Sequence, residues 1–293
     1  MRAVKCNLCG ADDYMVRFPK GVAQLHRIVQ CNRCGLMYAN PQELVNCECY
    51  ESDAHPKVFD EVEARQYLQK QHVQLPDSEK ALRVLNGFFP QRGKLLEIGS
   101  YCGIFLDRIR ADGWEVMGLE PDPAAADYSR SRYGLTITGR LLPNPDLADR
   151  TFDAVVMLHV IEHMPDPSES LAAIHRVLKP GGVLVAETPR FDSLMFKLLG
   201  RRERSLANCD GHIFFFTVTT LRKMFEKCGF EVVRSDLVGR TLTWERLFYN
   251  IGVITHSSRI QRWLASLSAT LHLDRFRIHI NARDIQRIYG RAT

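Results

Sequence analysis

Residues 95–106 read LLEIGSYCGIFL, from Leu95 to Leu106. An apolar run carrying one acid, Glu97, enters two glycines, Gly99 and Gly103, and leaves into a second apolar run. The pattern predicts a β-strand, a tight turn and the start of an α-helix. Such a turn at a strand end in an α/β protein is a nucleotide-binding place. The residues around it decide which nucleotide.

Working outward, the chain alternates between the two periods. Strand-like segments are "KLLEIGS", "EVMGLEP", "LTITGR", "FDAVVMLHVI", "VLVAETP" and "EVVRSDLVG". Helix-like segments lie between them: "GIFLDRIRADG", "DPAAADYSRSRYG", "DPSESLAAIHRVLKPGG", closed by its glycines, and "TVTTLRKMFEKCGF". This alternation predicts a Rossmann-like α/β fold, a mostly parallel sheet covered by helices on both faces. Upstream, residues 56–86 carry helical spacing, with "LPDS" (75–78) as a break between two helices. The division expected is a module at 1–45, a helical extension at 46–88 and the α/β domain at 89–293, with insertions at 190–211 and 240–280.

The first 45 residues hold two knuckles, Cys6-x-x-Cys9-Gly and Cys31-x-x-Cys34-Gly, with strand-like "YMVRF" and "LHRIVQ" between them. Two such turns present four thiolates in a tetrahedron, which suits a structural Zn2+ in a zinc ribbon. So small a module has too little core of its own, and metal binding supplies the missing free energy. Cys47 and Cys49 follow a filled coordination sphere and are read as ordinary thiols.

A pyrophosphate needs Gly-x-Gly-x-x-Gly, so that bare main chain can approach it. Here Tyr101 stands at the central glycine and Ile104 follows Gly103. A ring over the turn suits a ligand without phosphate, and S-adenosylmethionine (SAM) is one. Glu97 at the strand end attracts an ammonium and repels a diphosphate. Glu120, closing the next strand in "GLEPD", is placed to accept ribose hydroxyls.

At this point the sequence resembles class I SAM-dependent methyltransferases. Four ordered pieces carry the resemblance over about residues 90–240: "LLEIGSYCG", "GLEPDP", "FDAVVMLHVIEHMPDP" and "LKPGGVLVAETP". The bacterial subgroup with an N-terminal four-cysteine zinc module is the nearest in appearance. The resemblance implies a seven-stranded sheet whose last strand, residues 284–292, is antiparallel. It assigns Glu97, Gly99 and Gly103, with Ser100 and Tyr101 in the same turn, to the methionine moiety. Glu120 goes to the ribose, Pro121 and Asp122 lie beside the adenine, and Leu141 or Leu142 flanks it. His159 lines the open side of the cofactor, and "ETP" at 187–189 lies under the acceptor.

Methyl transfer to a hydroxyl, amine or carbon also needs a proton removed, and histidine suits that work near neutral pH. His159, His163 and His212 are the candidates. The expected acceptor is a small molecule, a hydroxyl on a sugar, glycan precursor or secondary metabolite. The rivals are an NAD-linked oxidoreductase or epimerase, and a zinc-ribbon binding module on a non-catalytic fold.

The net charge of +5 is mild, and the ribbon's Arg27 and Arg33 form no basic stripe, so no nucleic-acid partner is expected. The helical stripe at 246–271 is expected to pack on its own protein, with contact to a membrane surface the less favoured reading. "MRAVKCNLCG" lacks the apolar segment of a secretory leader and no apolar run reaches about 18 residues, so a cytoplasmic protein is expected.

Overall fold

The computed structural model describes residues 2–19, 27–42, 61–200, 211–244 and 276–293, with Leu206 and a few positions between 246 and 273. Cys47, Cys49 and most of the 246–271 stripe lie outside the described residues.

Strands β4 (Lys94–Ile98), β5 (Glu115–Leu119), β6 (Ile137–Thr138), β7 (Phe152–Leu158), β8 (Leu178–Pro189), β10 (Phe230–Thr243) and β11 (Arg277–Ala292) form a seven-stranded sheet. Its order is β10-β11-β8-β7-β4-β5-β6. The strands from β8 to β6 run parallel, and β11 runs antiparallel to both β8 and β10. This is the expected sheet, antiparallel last strand included.

Strand alternation divides the core. Leu96, Ile98, Val155, Met157, Leu184 and Ala186 point to one face. Leu95, Ala154, Val156, Val183 and Val185 point to the other. Helices α4 (Pro167–Val177) and α6 (Val218–Lys227) cover the first face; α1 (Glu61–Phe88), α2 (Ile104–Ala111) and α3 (Pro123–Tyr133) cover the second. With both faces buried, the central strands read as apolar runs. A short helix, α5 (Leu194–Leu199), lies within the first expected insertion.

Three local expectations give way. Helix α1 runs unbroken through Pro76, where a break was expected. The adjoining turn is held from outside: the Asp77 carboxylate accepts Thr241 N–H (2.5 Å), and the Asp77 carbonyl accepts an Arg287 N–H (3.0 Å). Helix α4 ends at Val177, not on the glycines, because Leu178 already pairs with Phe152 as the first residue of β8. Finally, β10 and β11 stay paired out to Thr243↔Arg277, so the second insertion opens with a two-stranded ribbon.

The N-terminal module is not self-contained. Strands β1 (Tyr14–Phe18), β2 (Ile28–Cys31) and β3 (Met37–Ala39) form an antiparallel sheet whose fourth strand is β9 (Phe214–Phe215), from the segment before α6 of the α/β domain. Met37 pairs with Phe215 and Tyr38 with Phe214, whose rings stack at 6.4 Å. Asn7 adds a second anchor at the start of α4. Its side chain donates to Asp166 Oδ1 (2.8 Å) and accepts Ser168 N–H (3.0 Å).

Candidate functional site

The crevice at the carboxyl ends of β4 and β5 gathers the residues expected to meet the donor. Gly99 follows β4 at φ +72°, and a Cβ there would stand 2.6 Å from Val160 Cγ2. Gly103 caps α2 at φ +75°, where a Cβ would strike Leu135 Cδ1 at 2.7 Å. Glycine is required at both by conformation and by space. Tyr101, at φ 45°, holds a left-handed turn that ordinary residues avoid. Its N–H donates to Glu120 Oε2 (2.6 Å) and its carbonyl accepts the Ser129 hydroxyl (2.8 Å).

Glu97 is buried, and its Oε2 has no hydrogen-bond partner. Burial, with the Glu120 charge beside it, holds its carboxyl well above the ordinary range. Glu120 is pushed up to about 7, mainly by burial and against the backbone N–H groups of Asp122 and Tyr101. Ser100 is buried with an unbonded Oγ. Buried polar atoms normally find partners. An unpaired carboxylate at the strand end is therefore a ready place for an ammonium, and Glu120, whose two oxygens each accept one N–H, keeps lone pairs for hydroxyls. These residues fit SAM.

Pro121 is half-buried beside Glu120. Asp122 caps α3, accepting Ala124 N–H (2.9 Å) and Ala125 N–H (3.1 Å). Leu141 and Leu142 are half-buried in the loop after β6, and Leu142 packs against the core.

The three histidines separate into two settings. His159 directly follows β7 at φ 58°. Its N–H donates to the Glu187 carbonyl (2.8 Å), and its ring lies between two carboxylates. Nε2 is 3.2 Å from Glu187 Oε1 and Nδ1 is 3.6 Å from Glu162 Oε1. Partial burial opposes its charge, but the close contacts and charges of the two glutamates, Glu162 and Glu187, prevail and raise the imidazole to about 9. Both nitrogens face carboxylates, so His159 is a protonated clamp in this arrangement. His163 and His212 lie together instead, with ring centroids 4.6 Å apart in a T-shaped contact.

Arg287, absent from the sequence reading, completes the network. It faces Glu187 across the β8–β11 pair, and its Nε–H donates to Glu187 Oε2 (2.7 Å). Glu187 falls to about 2 despite its burial, held by His159 and Arg287. Glu162 is fully buried, and its Oε2 accepts the Thr188 hydroxyl (2.9 Å). The available signal was an arginine within the apolar "IQRIYG", which had to be paired if that strand were central.

The four cysteines converge. Cys6 and Cys34 sulfurs are 3.4 Å apart and Cys9 and Cys31 sulfurs 3.5 Å, and all four lie within 4.8 Å of one another. Zinc–sulfur bonds of about 2.3 Å require tetrahedral sulfur separations of about 3.8 Å. The donor set and its spacing fit Zn2+.

Among known proteins, the model of the "Methyltransferase domain" family matches residues 50–235. The chain is 34% identical over 101 residues to a ubiquinone biosynthesis O-methyltransferase of Pseudomonas syringae, covering 32% of this chain and 44% of that protein. It is 32% identical over 152 residues to a tRNA U34 carboxymethyltransferase of Hydrogenovibrio crunogenus, covering 48% and 45%. The matches thus span about half the length of these curated relatives. A crystal structure of a SAM-dependent methyltransferase from Thermotoga maritima superposes with a TM-score of 0.53 at 21% identity, over 80% of this chain and 97% of that one, which shows a shared fold.

These relatives correct one expectation. A nucleic-acid partner was excluded for want of a basic stripe in the ribbon, yet one relative is named for tRNA. A missing stripe bears only on phosphate contacts by that module; it does not bear on a base or ribose entering the α/β cleft. Among the described residues no helix is long and apolar enough to cross a membrane. With the family match running over more than half of the 293 residues, and a glycine turn lined by the buried carboxyls Glu97 and Glu120 at its centre, the chain belongs to the methyltransferase-domain family.

Proposed function

We propose that this chain binds SAM in the crevice beyond Glu97 and transfers its methyl group to an acceptor oxygen. The observation that carries the reading is the buried Glu97 carboxylate, with one oxygen unpaired, at the mouth of a turn that tolerates no Cβ at Gly99. When bound, SAM supplies an electrophilic methyl on a sulfonium. Glu97 holds the methionine ammonium and Glu120 the ribose hydroxyls. His159, clamped by Glu162 and Glu187, fixes the wall beside the donor. The polar cluster beyond it, Glu162, His163 and His212, faces the acceptor. Burial of both reactants removes water that would otherwise screen the alignment on which in-line displacement depends.

Oxygen is favoured because the similar Pseudomonas syringae protein is named an O-methyltransferase. The hydroxyl acceptor expected from the sequence is retained; its placement on a sugar or glycan precursor finds no support among these relatives. Cys6, Cys9, Cys31 and Cys34 hold one structural Zn2+ in the same proposal.

The test is incubation of the full chain with SAM labelled with carbon-13 on the methyl group. A phenol, a sugar and tRNA are offered separately. S-adenosylhomocysteine release coupled to a methoxy carbon signal is expected for one of them. Label on nitrogen or carbon would overturn the oxygen assignment, and failure to bind SAM would overturn the whole reading.

A pH dependence follows from the two raised carboxyls. The free folded protein keeps protons on Glu97 and Glu120 that the unfolded chain has already released above about pH 4.5. Stability from Glu120 is therefore full below that pH and declines as pH rises toward 7. An ammonium at Glu97 and donated ribose hydroxyls at Glu120 each favour the ionised carboxylate, so affinity for S-adenosylhomocysteine, which carries both, should rise from pH 5 to 7. Calorimetry at pH 6 in two buffers of different ionisation heat should report net proton release. Proton uptake on binding would contradict the assignment.

A further inference from the structure

The methyltransferase reading uses Glu162, His163 and His212 only as part of a wall. Their geometry has more content. One ligand atom from each, a carboxylate oxygen and two imidazole nitrogens, lies within 4.8 Å of the others. Glu162 and His163 belong to a single 3-10 turn, Ile161–His163, directly after β7. His212 comes from the segment before β9, and its neighbour Ile213 donates N–H to the Glu162 carbonyl (2.8 Å). The two segments are thus fixed to each other by main chain at the point where the three side chains meet.

An independent observation points to a ligand. Glu162 is fully buried, and its Oε1 has no hydrogen-bond partner; His159 Nδ1 stands 3.6 Å from it. His159 faces that oxygen at ion-pair distance but too far for a hydrogen bond, so Oε1 keeps lone pairs that a cation held by His163 and His212 can share. Gly211 also clears space: a Cβ there would come within 3.3 Å of His163 Nδ1.

We propose that Glu162, His163 and His212 form a divalent-metal site, distinct from the four-cysteine centre, with open positions toward the acceptor. Two imidazoles and one carboxylate suit first-row divalent cations and leave room for exchangeable oxygen ligands. The turn that carries the site touches the donor crevice, since Val160 packs over Gly99. A metal there would take an acceptor hydroxyl and lower its pKa. The O–H proton passes to solvent. The oxygen then forms the O–CH3 bond as the S–CH3 bond breaks, and its electron pair stays on sulfur as S-adenosylhomocysteine. This role rests on the methyltransferase reading; the metal site itself does not.

The experiment uses full-length, zinc-loaded protein titrated with Mn2+ alone, read by the electron paramagnetic resonance signal of free Mn2+. S-adenosylhomocysteine binding is measured in parallel by calorimetry. One Mn2+ per chain beyond the bound zinc is expected. His163→Asn and His212→Asn should each weaken Mn2+ binding at least tenfold while S-adenosylhomocysteine affinity stays within about twofold, which also shows that the variants are folded. No uptake of Mn2+, or of Co2+ as a second probe, would overturn the site, as would uptake unaltered in both variants. Mn2+ binding with no S-adenosylhomocysteine binding would leave the site standing and remove the donor reading instead.

Discussion

Glu97→Gln is expected to lower SAM affinity at least a hundredfold while leaving the free protein as stable as before, or more so. The two effects have one cause. The wild-type carboxyl is buried with an unpaired oxygen and beside Glu120, which together hold its pKa well above the ordinary range, so ionising it there is unfavourable. An amide of the same shape has no charge to bury and no proton to take up on folding. It also removes the partner proposed for the methionine ammonium, and a hydrogen bond between charged groups contributes about 3 kcal/mol, equivalent to about a hundredfold in affinity. Calorimetry with S-adenosylhomocysteine and a thermal melt at pH 7.5 measure both. Affinity within threefold of wild type would show that Glu97 is a structural carboxyl and not a ligand.

Removal of the zinc proposed for the four cysteines should have the largest effect on stability. Structural zinc in small modules carries an apparent binding free energy of about 10–16 kcal/mol. Here the module shares a sheet with the domain: β3 pairs with β9, Ala39 N–H donates to the Ile213 carbonyl (2.8 Å), and Ile213 N–H reaches Glu162. Loss of the metal therefore loosens His212 and the turn bearing Glu162 as well as the knuckles. A strong chelator, or Cys31→Ser, should lower the melting temperature by more than about 10 °C, the shift that a few kcal/mol produces in a domain of this size. Deleting residues 1–42 should give insoluble protein, since Ile213, Phe214 and Phe216 pack in the core that the ribbon covers. A soluble deletion variant with an unchanged melting temperature would contradict the shared sheet.

The limits of the sequence reading lie in identifiable places. The glycine turn was legible because backbone conformation and close approach leave only glycine at 99 and 103. The sheet was legible because each apolar run lies between turn signals. Pro76 misled because a residue that breaks an isolated helix is tolerated where tertiary bonds hold the turn, as they do at Asp77. The three histidines could be named as candidates but not sorted. Their sorting depends on Glu187 and Glu162: of the three rings the first meets only His159, and the second stands between His159 and the His163–His212 pair.

The amino-acid order alone determined the strand–turn–helix with Glu97 and Glu120 at strand ends, and the two cysteine knuckles. Each is local, with its geometry set by residues a few positions apart. Only the tertiary structure decided that Arg287 meets Glu187 a hundred residues away, that β9 completes the ribbon's sheet, and that His212 joins Glu162 and His163. Those meetings follow from sheet order and antiparallel register, and partners brought together in that way leave no spacing in the sequence by which to recognise them.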